Sequence, residues 1–478
     1  MYRKTAGQPH FDIDECRTFD VTLDMENRWV KLSGLIPWTK LEEDYARLFK
    51  KKGGQKAYPL RVALGSLIIQ AKLGITDEET VSQIAENPYM QYFLGFRYYQ
   101  NKRPFSQAQM TYFRKRIPES FVMLANDSVA TKASGPEIKA GQTHAGEMII
   151  DATCAPADMR YPTDARLLNE SREKLEDIID TLHGPDVGKK KKPRTYRLKA
   201  KKIHVNLDKK RKKTKKIVRK TIRKQLSFVK RDLGIIREYL DIHPERSQLL
   251  SQKQKRDMQT IQTIYAQQQE MFLKKIHSVK DRIVSIHMPY VRPIVRGKAG
   301  SEIEFGAKIL STVVNGYSFI EKISFDAFNE STYLLQAVES YKARYGVYPE
   351  AVMADTIFRT RDNIKKLKEK GIRISGPPLG RRQISLVKAM KLQAKIDAGV
   401  RNQVESSYGV MKRKYLLDKI AARLEETSKT CIALAFLVKN LDHRLRSLFV
   451  FFVQELFGQK FGHICALSRY RCGCLVPV

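Results

Sequence analysis

The sequence is short of acidic residues. Its 478 residues include 51 Asp and Glu but 88 Lys and Arg, which gives a formal net charge of +37. Such an excess of positive charge is too large for a neutral metabolic enzyme and indicates a polyanionic partner. Nucleic acid is the first candidate, and an anionic membrane surface is the alternative.

Cysteine and long apolar runs are also scarce. Six cysteines in so long a chain do not suggest a disulfide framework, so we expect reduced thiols. The histidine and cysteines near the C-terminus match no familiar zinc-binding spacing. The most apolar stretches, 431–438 and 448–453, are short and flanked by charge, and no signal peptide is recognisable. The sequence therefore predicts a soluble intracellular protein that does not enter membranes.

The region before residue 134 has the pattern of short helices joined by tight turns. Residues 60–73 form an apolar helical stretch that ends at Gly74, and Thr76-Asp-Glu-Glu79 is a capping box that opens the next helix. Basic residues at the edges of these helices suit a DNA-docking module, although any small helical bundle has a similar pattern.

Strand patterns begin after a Gly-Pro linker at 135–136. Residues 148–154 are strand-like, with Asp151 and Thr153 on one face. Further along, two strand patterns are joined by Asn315-Gly316, a strong hairpin signal, and helices then alternate with short strands, one of which ends at Asp355. These patterns predict a mixed sheet covered by helices.

A long basic segment separates the two groups of strands. Residues 164–284 have mostly helical patterns, and we interpret them as a helical insertion such as an antiparallel hairpin. Its basic run extends from Lys189 to Lys224 and includes Lys190 and Lys212, which we expect to contact DNA phosphates. A disordered run that only improves solubility is the alternative.

Three carboxylates are candidates for one site. If the strands that carry Asp151 and Asp355 are neighbours, both side chains meet at one edge of the sheet, where α/β proteins bind ligands. Glu405 lies in a helical pattern in which Arg401, Glu405 and Lys412 share one stripe. Clustered carboxylates require cations between them, and two Mg²⁺ or Mn²⁺ ions held by such oxygens catalyse phosphoryl transfer.

From about residue 40 to 445, the sequence resembles the DDE transposases of bacterial insertion sequences, which have an RNase H-like catalytic core. Ile150-Asp151-Ala-Thr153 resembles their first catalytic strand, and Ala354-Asp355-Thr-Ile-Phe358 resembles the second. Their helix signature has Tyr, Arg, Glu and Lys at offsets 0, 3, 7 and 14. Arg401, Glu405 and Lys412 match it, while Ala398 stands at the tyrosine position.

The resemblance implies a function and a role for each residue. Asp151, Asp355 and Glu405 are expected to be catalytic and to bind two Mg²⁺ or Mn²⁺ ions, while Arg401 and Lys412 bind DNA phosphate. Tyr408 is a candidate to replace the missing tyrosine at the DNA end. The implied reaction is cleavage at the terminal inverted repeats of a transposon, followed by strand transfer into target DNA. A dimer on double-stranded DNA, in the bacterial cytoplasm at the nucleoid, is expected.

The predicted fold class is α/β, with an RNase H-like mixed sheet flanked by helices, an N-terminal helical domain and a mostly helical insertion. The predicted boundaries are 1–140 for the N-terminal DNA-binding domain, 141–163 and 285–450 for the catalytic domain, 164–284 for the insertion and 451–478 for a C-terminal tail. Two other functions stay open. One is a non-catalytic DNA-binding protein derived from a transposase, and the other is a nuclease or resolvase on the same core.

Overall fold

The computed structural model of the protein describes residues 23–49, 56–298, 301–376 and 387–457. The chain divides into two compact units. The first comprises residues 1–156, 308–324 and 328–478, and the second comprises 157–307 and 325–327. Most of the tail expected from residue 451 lies outside the described residues.

The first unit begins with helices. They are α1 (Arg28–Leu35), α2 (Trp38–Ala46), α3 (Leu60–Leu73), α4 (Asp77–Glu86), α5 (Pro88–Phe93), α6 (Gln107–Arg116) and α7 (Glu119–Ser134). Their ends follow local chemistry. Gly74 has a left-handed backbone and its N–H donates to the carbonyl of Gln70, while the Thr76 side chain accepts the N–H of Glu79. Both predicted signals therefore act as helix boundaries.

A mixed sheet follows these helices in the chain. The strands are β1 (Glu147–Pro156), β2 (Arg292–Lys298), β3 (Ser301–Val314), β4 (Tyr317–Ser324), β5 (Ala351–Ala354) and β6 (Arg373–Ile374). In the first unit β4 pairs with β3, β3 with β1, β1 with β5 and β5 with β6. The β3–β4 pair is antiparallel, whereas the β1–β5 and β5–β6 pairs are parallel. Asn315 and Gly316 both have positive φ, as the predicted tight hairpin requires.

Helices cover both faces of this sheet. On one face, α12 (Leu334–Tyr345) and α13 (Arg361–Glu369) share an apolar core with alternate residues of β1 and β5, including Met148, Ile150, Val352 and Ala354. The intervening residues of the two strands point to the other face. There α14 (Val387–Lys414) packs on β1 and β5, so Asp151 and Asp355 face this helix.

The last helix, α15 (Glu425–Phe457), joins the N-terminal helices to the sheet. It packs against α7, α3 and β4. Asn440 of α15 donates to Asn126 of α7 at 2.8 Å and to the carbonyl of Ser318 at 2.7 Å, and it accepts the N–H of Ser318 at 2.9 Å. All three residues are buried, so this network fixes α7, β4 and α15 in one arrangement.

The second unit is mostly helical. Its helices are α8 (Asp164–His183), α9 (Arg197–Asp208), α10 (Lys215–Ile242) and α11 (Gln252–Lys274). Leucine and isoleucine side chains of α8, α10 and α11 form its core. The insertion is therefore helical as predicted. It has more helices than a simple antiparallel hairpin, because α9 forms a further helix inside the basic run and packs on α8 and α10. Strand β2 pairs with the first half of β3 in this unit.

The predicted α/β fold class is confirmed, with its N-terminal helical region, mixed sheet and mostly helical insertion. No helix in the described part of the chain is long and apolar enough to cross a membrane.

One carboxylate of the second unit is buried without a hydrogen-bond partner among the described residues. Asp232 of α10 is 0% exposed, and neither of its carboxylate oxygens has a hydrogen-bond partner among the described residues. Burial, followed by the negative charge of Glu176, raises the pKa of Asp232 to about 7. The ionised form is therefore disfavoured in the folded protein.

The substitution Asp232→Asn should stabilise the protein at pH 8. Folding raises the pKa of this carboxyl from 3.8 to about 7. The folded protein therefore loses stability relative to the unfolded chain as the pH rises through this interval. We expect the variant to exceed the wild type by about 1–3 kcal/mol at pH 8 and by much less at pH 5. Denaturant unfolding at the two pH values measures this difference. Asp241→Asn, at an exposed position of the same helix, is the control and should show no such pH-dependent gain.

Candidate active site where β1 pairs with β5

The pairing of β1 with β5 brings two aspartates together. In this parallel pair, Ile150 lies opposite Ala354. Asp151 follows Ile150 in the chain, and Asp355 follows Ala354. The two carboxylates therefore lie side by side on the face of the sheet that α14 covers. The expectation that these two strands are neighbours is confirmed.

Helix α14 contacts the middle of β1 and the residue that follows β5 through two different side chains. Arg401 donates from Nη1 to Oδ1 of Asp355 at 3.0 Å. About two turns further along the helix, the hydroxyl of Tyr408 donates to the main-chain carbonyl of Asp151 at 2.7 Å. The two contacts fix the position of the helix along the edge of the sheet.

The two aspartates have different environments. The Asp355 side chain is 52% exposed, and it also accepts the N–H of Thr356 at 2.7 Å. The Asp151 side chain is more buried, and its Oδ1 accepts the N–H of Ala152 at 2.8 Å. Burial raises the pKa of Asp151 to about 6, against the effect of that hydrogen bond, and the charges of Glu330 and Asp355 raise it further. The positive charge of Arg401 acts in the opposite direction.

Glu405 lies between the two contact residues of α14. On an ideal helix Arg401, Glu405, Tyr408 and Lys412 fall on one stripe. The backbone therefore directs Glu405 to the same side as the residues that touch β5 and β1. Its side chain is exposed, and no three His, Cys, Asp or Glu side chains are arranged to hold a metal ion in the described part of the chain. The three acids are thus aligned by the backbone without forming a closed ligand set.

Sequence reasoning missed two charged residues beside this site. Glu330 precedes α12 in a short 3-10 helix, and its carboxylate pairs with Nζ of Lys308 on β3 at 2.7 Å. Lys308 also donates to the carbonyl of Phe328 at 2.8 Å. The Asn-Glu-Ser pattern at 329–331 indicates a helix start, but no periodic signal indicates that its acid lies near Asp151.

The position of Tyr408 does not support the expected DNA contact. Tyr408 is 7% exposed, and its hydroxyl oxygen also lies 2.8 Å from Oγ of the buried Ser311. Because its proton is donated to the carbonyl of Asp151, Ser311 is the donor in the second hydrogen bond. Tyr408 therefore anchors α14 to β1 and β3 and presents no free hydroxyl to a DNA end.

The two basic residues singled out in the insertion are both exposed. Lys190 lies in the connection between α8 and α9, and Lys212 lies in the connection between α9 and α10. Each connection carries several other exposed Lys and Arg side chains. The second unit therefore presents the concentrated positive charge that the sequence predicted there.

Two family models and one curated protein match parts of the chain. Residues 352–442 match the family described as Transposase DDE domain, and residues 17–116 match the one described as Transposase domain (DUF772). The chain is also 30% identical over 161 residues to the uncharacterized protein ORF8 in nfe locus of Rhizobium meliloti, an alignment that covers 33% of this chain and 74% of that protein. The solved structures gave no match.

The chain belongs to the DDE transposases of insertion sequences. The matched DDE range includes Asp355, Arg401, Glu405 and Lys412, whereas Asp151 precedes it. The position of Asp151 in the site therefore depends on the strand register.

Tyr408→Phe tests the anchoring role of the hydroxyl. Its loss leaves the carbonyl of Asp151 and the hydroxyl of Ser311 without this partner, so we expect a destabilisation of about 1–3 kcal/mol in denaturant unfolding. The affinity for duplex DNA should stay within about twofold of the wild type, because the hydroxyl faces the protein interior. The exposed Tyr112→Phe is the control for stability. If the variant instead lost much of its DNA affinity while its stability was unchanged, the anchoring role would be wrong and Tyr408 would be a DNA contact.

Proposed function

We propose that the protein cleaves DNA at the ends of its transposon and joins the freed 3′-hydroxyl ends to target DNA. The observation that supports this most is the register of β1 and β5, which aligns Asp151 and Asp355 beneath the helix that carries Glu405. A protein that only binds DNA has no need for acids aligned in this way, since they repel phosphate.

The residues present fit a divalent metal site. Asp151 is an acid whose charge is disfavoured by burial and by two neighbouring carboxylates, so a cation beside it relieves an existing electrostatic penalty. Carboxylate oxygens are the ligands that Mg²⁺ and Mn²⁺ prefer. Asp151, Asp355 and Glu405 would hold the two ions. When bound, such ions supply an activated water or hydroxyl nucleophile and stabilise the leaving oxygen.

The cationic residues of α14 complete the proposed site. Arg401 now neutralises Asp355, and its planar guanidinium also suits two-point contact with a phosphate. Lys412 lies on the same stripe about three turns from Arg401 and offers a second positive charge. We assign both to the phosphates next to the scissile bond. Because two transposon ends are cut together, the proposal includes a dimer on DNA.

The second unit has a different task in this proposal. Its exposed basic connections, which include Lys190 and Lys212, contact the DNA backbone and raise affinity for any duplex. These backbone contacts do not by themselves select the transposon ends, so that selection requires other contacts.

Substituting each acid tests the catalytic assignment. Asp151→Asn, Asp355→Asn and Glu405→Gln should each lower Mg²⁺- or Mn²⁺-dependent cleavage of DNA that carries the element's inverted repeats by at least about a hundredfold. The substrate is prepared from the DNA that flanks the gene, and nicked and joined products are separated on gels. Asp362→Asn, at an exposed acid of α13, is the matched control and should cleave at the wild-type rate.

The outcomes separate the three candidate functions. If all three variants cleaved DNA at the wild-type rate, the assignment of the three acids to the active site would be wrong. Binding of the repeats without cleavage by the wild type would favour the non-catalytic DNA-binding protein, and cleavage that ignores the repeats would favour the nuclease or resolvase.

Removing charge from the basic connections tests the role of the second unit. The combined variant Lys190→Ala, Lys191→Ala, Arg211→Ala and Lys212→Ala should reduce the salt dependence of DNA affinity. Each lost phosphate contact is expected to lower the slope of log affinity against log salt by about 0.9. Preference for repeat over random duplexes should persist, because phosphate contacts carry little sequence information. If the slope of log affinity against log salt were unchanged, the basic run would not contact DNA and would contribute only to solubility.

A further inference from the structure

Helix α9 of the second unit is attached to the protein by one side. Ala200, His204 and Leu207 are buried and recur with the spacing of a single helical face. The carbonyl of Ala200 accepts a hydrogen bond at 3.1 Å from Nε2 of Gln225, which is fully buried on α10. The helix is therefore fixed in orientation as well as in position.

The start of α9 is held by contacts within the unit. Arg197 donates to the carbonyl of Glu176 at 3.1 Å and pairs with Asp180 at the surface of the unit, so its charge already has a partner within the unit. The guanidinium of Arg231 lies 4.6 Å from the centre of the Tyr196 ring. These basic residues serve the fold, and they can be separated from the cations that face solvent.

The opposite side of α9 forms a mixed ridge. Leu198, Lys202, Val205, Asn206 and Lys209 follow one another at i, i+4, i+7, i+8 and i+11, away from the buried face. Leu198 is 86% exposed, and the lysines and Asn206 are exposed as well. The ridge thus combines an apolar side chain, an amide and positive charge on a rigid helix.

This composition differs from that of a surface that meets only phosphates. Phosphates attract cations and also accept hydrogen bonds from amides such as asparagine, whereas an exposed leucine gains nothing from a phosphate. In the major groove, apolar side chains contact the thymine methyl, asparagine pairs with adenine and lysine with guanine. The groove is also wide enough for one helix.

The segments on either side of α9 match this arrangement. The connection before it has exposed lysines at 189–191, and the connection after it has exposed Lys and Arg at 209–213. A helix in a groove needs cations at both of its ends, where the phosphate backbones border the groove. The charge around α9 is therefore complementary to duplex DNA.

We propose that α9 enters the major groove of duplex DNA and contacts base edges through Leu198, Lys202 and Asn206. The inference rests on the proposed DNA binding of the basic insertion and adds a groove contact to it. The second unit then contacts base edges of the duplex as well as its phosphates.

The test compares two duplexes of the same random-sequence pool, bound by the full-length protein. In one of them every cytosine is glucosylated 5-hydroxymethylcytosine, whose sugar fills the major groove while the phosphates are unchanged. The wild type should bind the unmodified duplex at least about tenfold more tightly. The double variant Lys202→Ala and Asn206→Ala should lose at least about fivefold of this discrimination, because it lacks two base-edge contacts.

Two controls accompany these variants. Leu198→Ala should weaken binding to the unmodified duplex more than to the glucosylated one, although it changes no charge. Lys253→Ala, at an exposed lysine of α11, should leave the discrimination unchanged. Because all the substituted positions are exposed, circular dichroism and thermal unfolding should be the same as in the wild type.

Failure of the inference is distinguishable from failure of the proposed function. Equal binding of both duplexes by the wild type, or unchanged discrimination in the double variant, would overturn the groove contact while leaving DNA binding intact. Absence of binding to either duplex would overturn the DNA-binding role itself.

Discussion

The parallel register of β1 and β5 is the constraint on which the candidate site depends. Ile150 opposite Ala354 makes Asp151 and Asp355 neighbours, and a shift of one residue would turn one carboxylate into the apolar core under α12 and α13. The hydrophobic side of these strands therefore fixes the position of the acids. Apolar packing on one face of the sheet therefore determines where the negative charges lie on the other face.

Helix α14 is held against that charged edge by complementary contacts. Arg401 offsets the negative charge of Asp355, and Tyr408 satisfies a main-chain carbonyl in the middle of β1. Neither contact uses the carboxylate of Asp151, whose pKa stays raised by burial and by neighbouring acids. The fold thus tolerates a local electrostatic cost at the point where we propose a metal ligand, and such perturbed groups are common at functional sites.

Much of this arrangement follows from short-range signals in the sequence. Gly74, Thr76 and Asn315-Gly316 act locally, so their effects were predictable, and alternation in β1 correctly gave the face of Asp151. Other features depend on tertiary contacts. Helix α9 was missed because four of its twelve residues are Lys or Arg and only three are buried, and Glu330 lies near Asp151 only through the packing of the chain. The burial of Tyr408 likewise requires its partner Ser311, a distant residue in sequence.

The insertion also bears on how the acids come together during folding. Asp151 and Asp355 belong to strands about 200 residues apart, and closing so long a loop costs chain entropy. Residues 157–307 account for most of that separation and form their own compact unit with its own apolar core. Once this unit is folded, the effective loop between β1 and β5 is much shorter, since an ordered segment no longer contributes its full length. The basic insertion therefore also lowers the entropic cost of pairing β1 with β5.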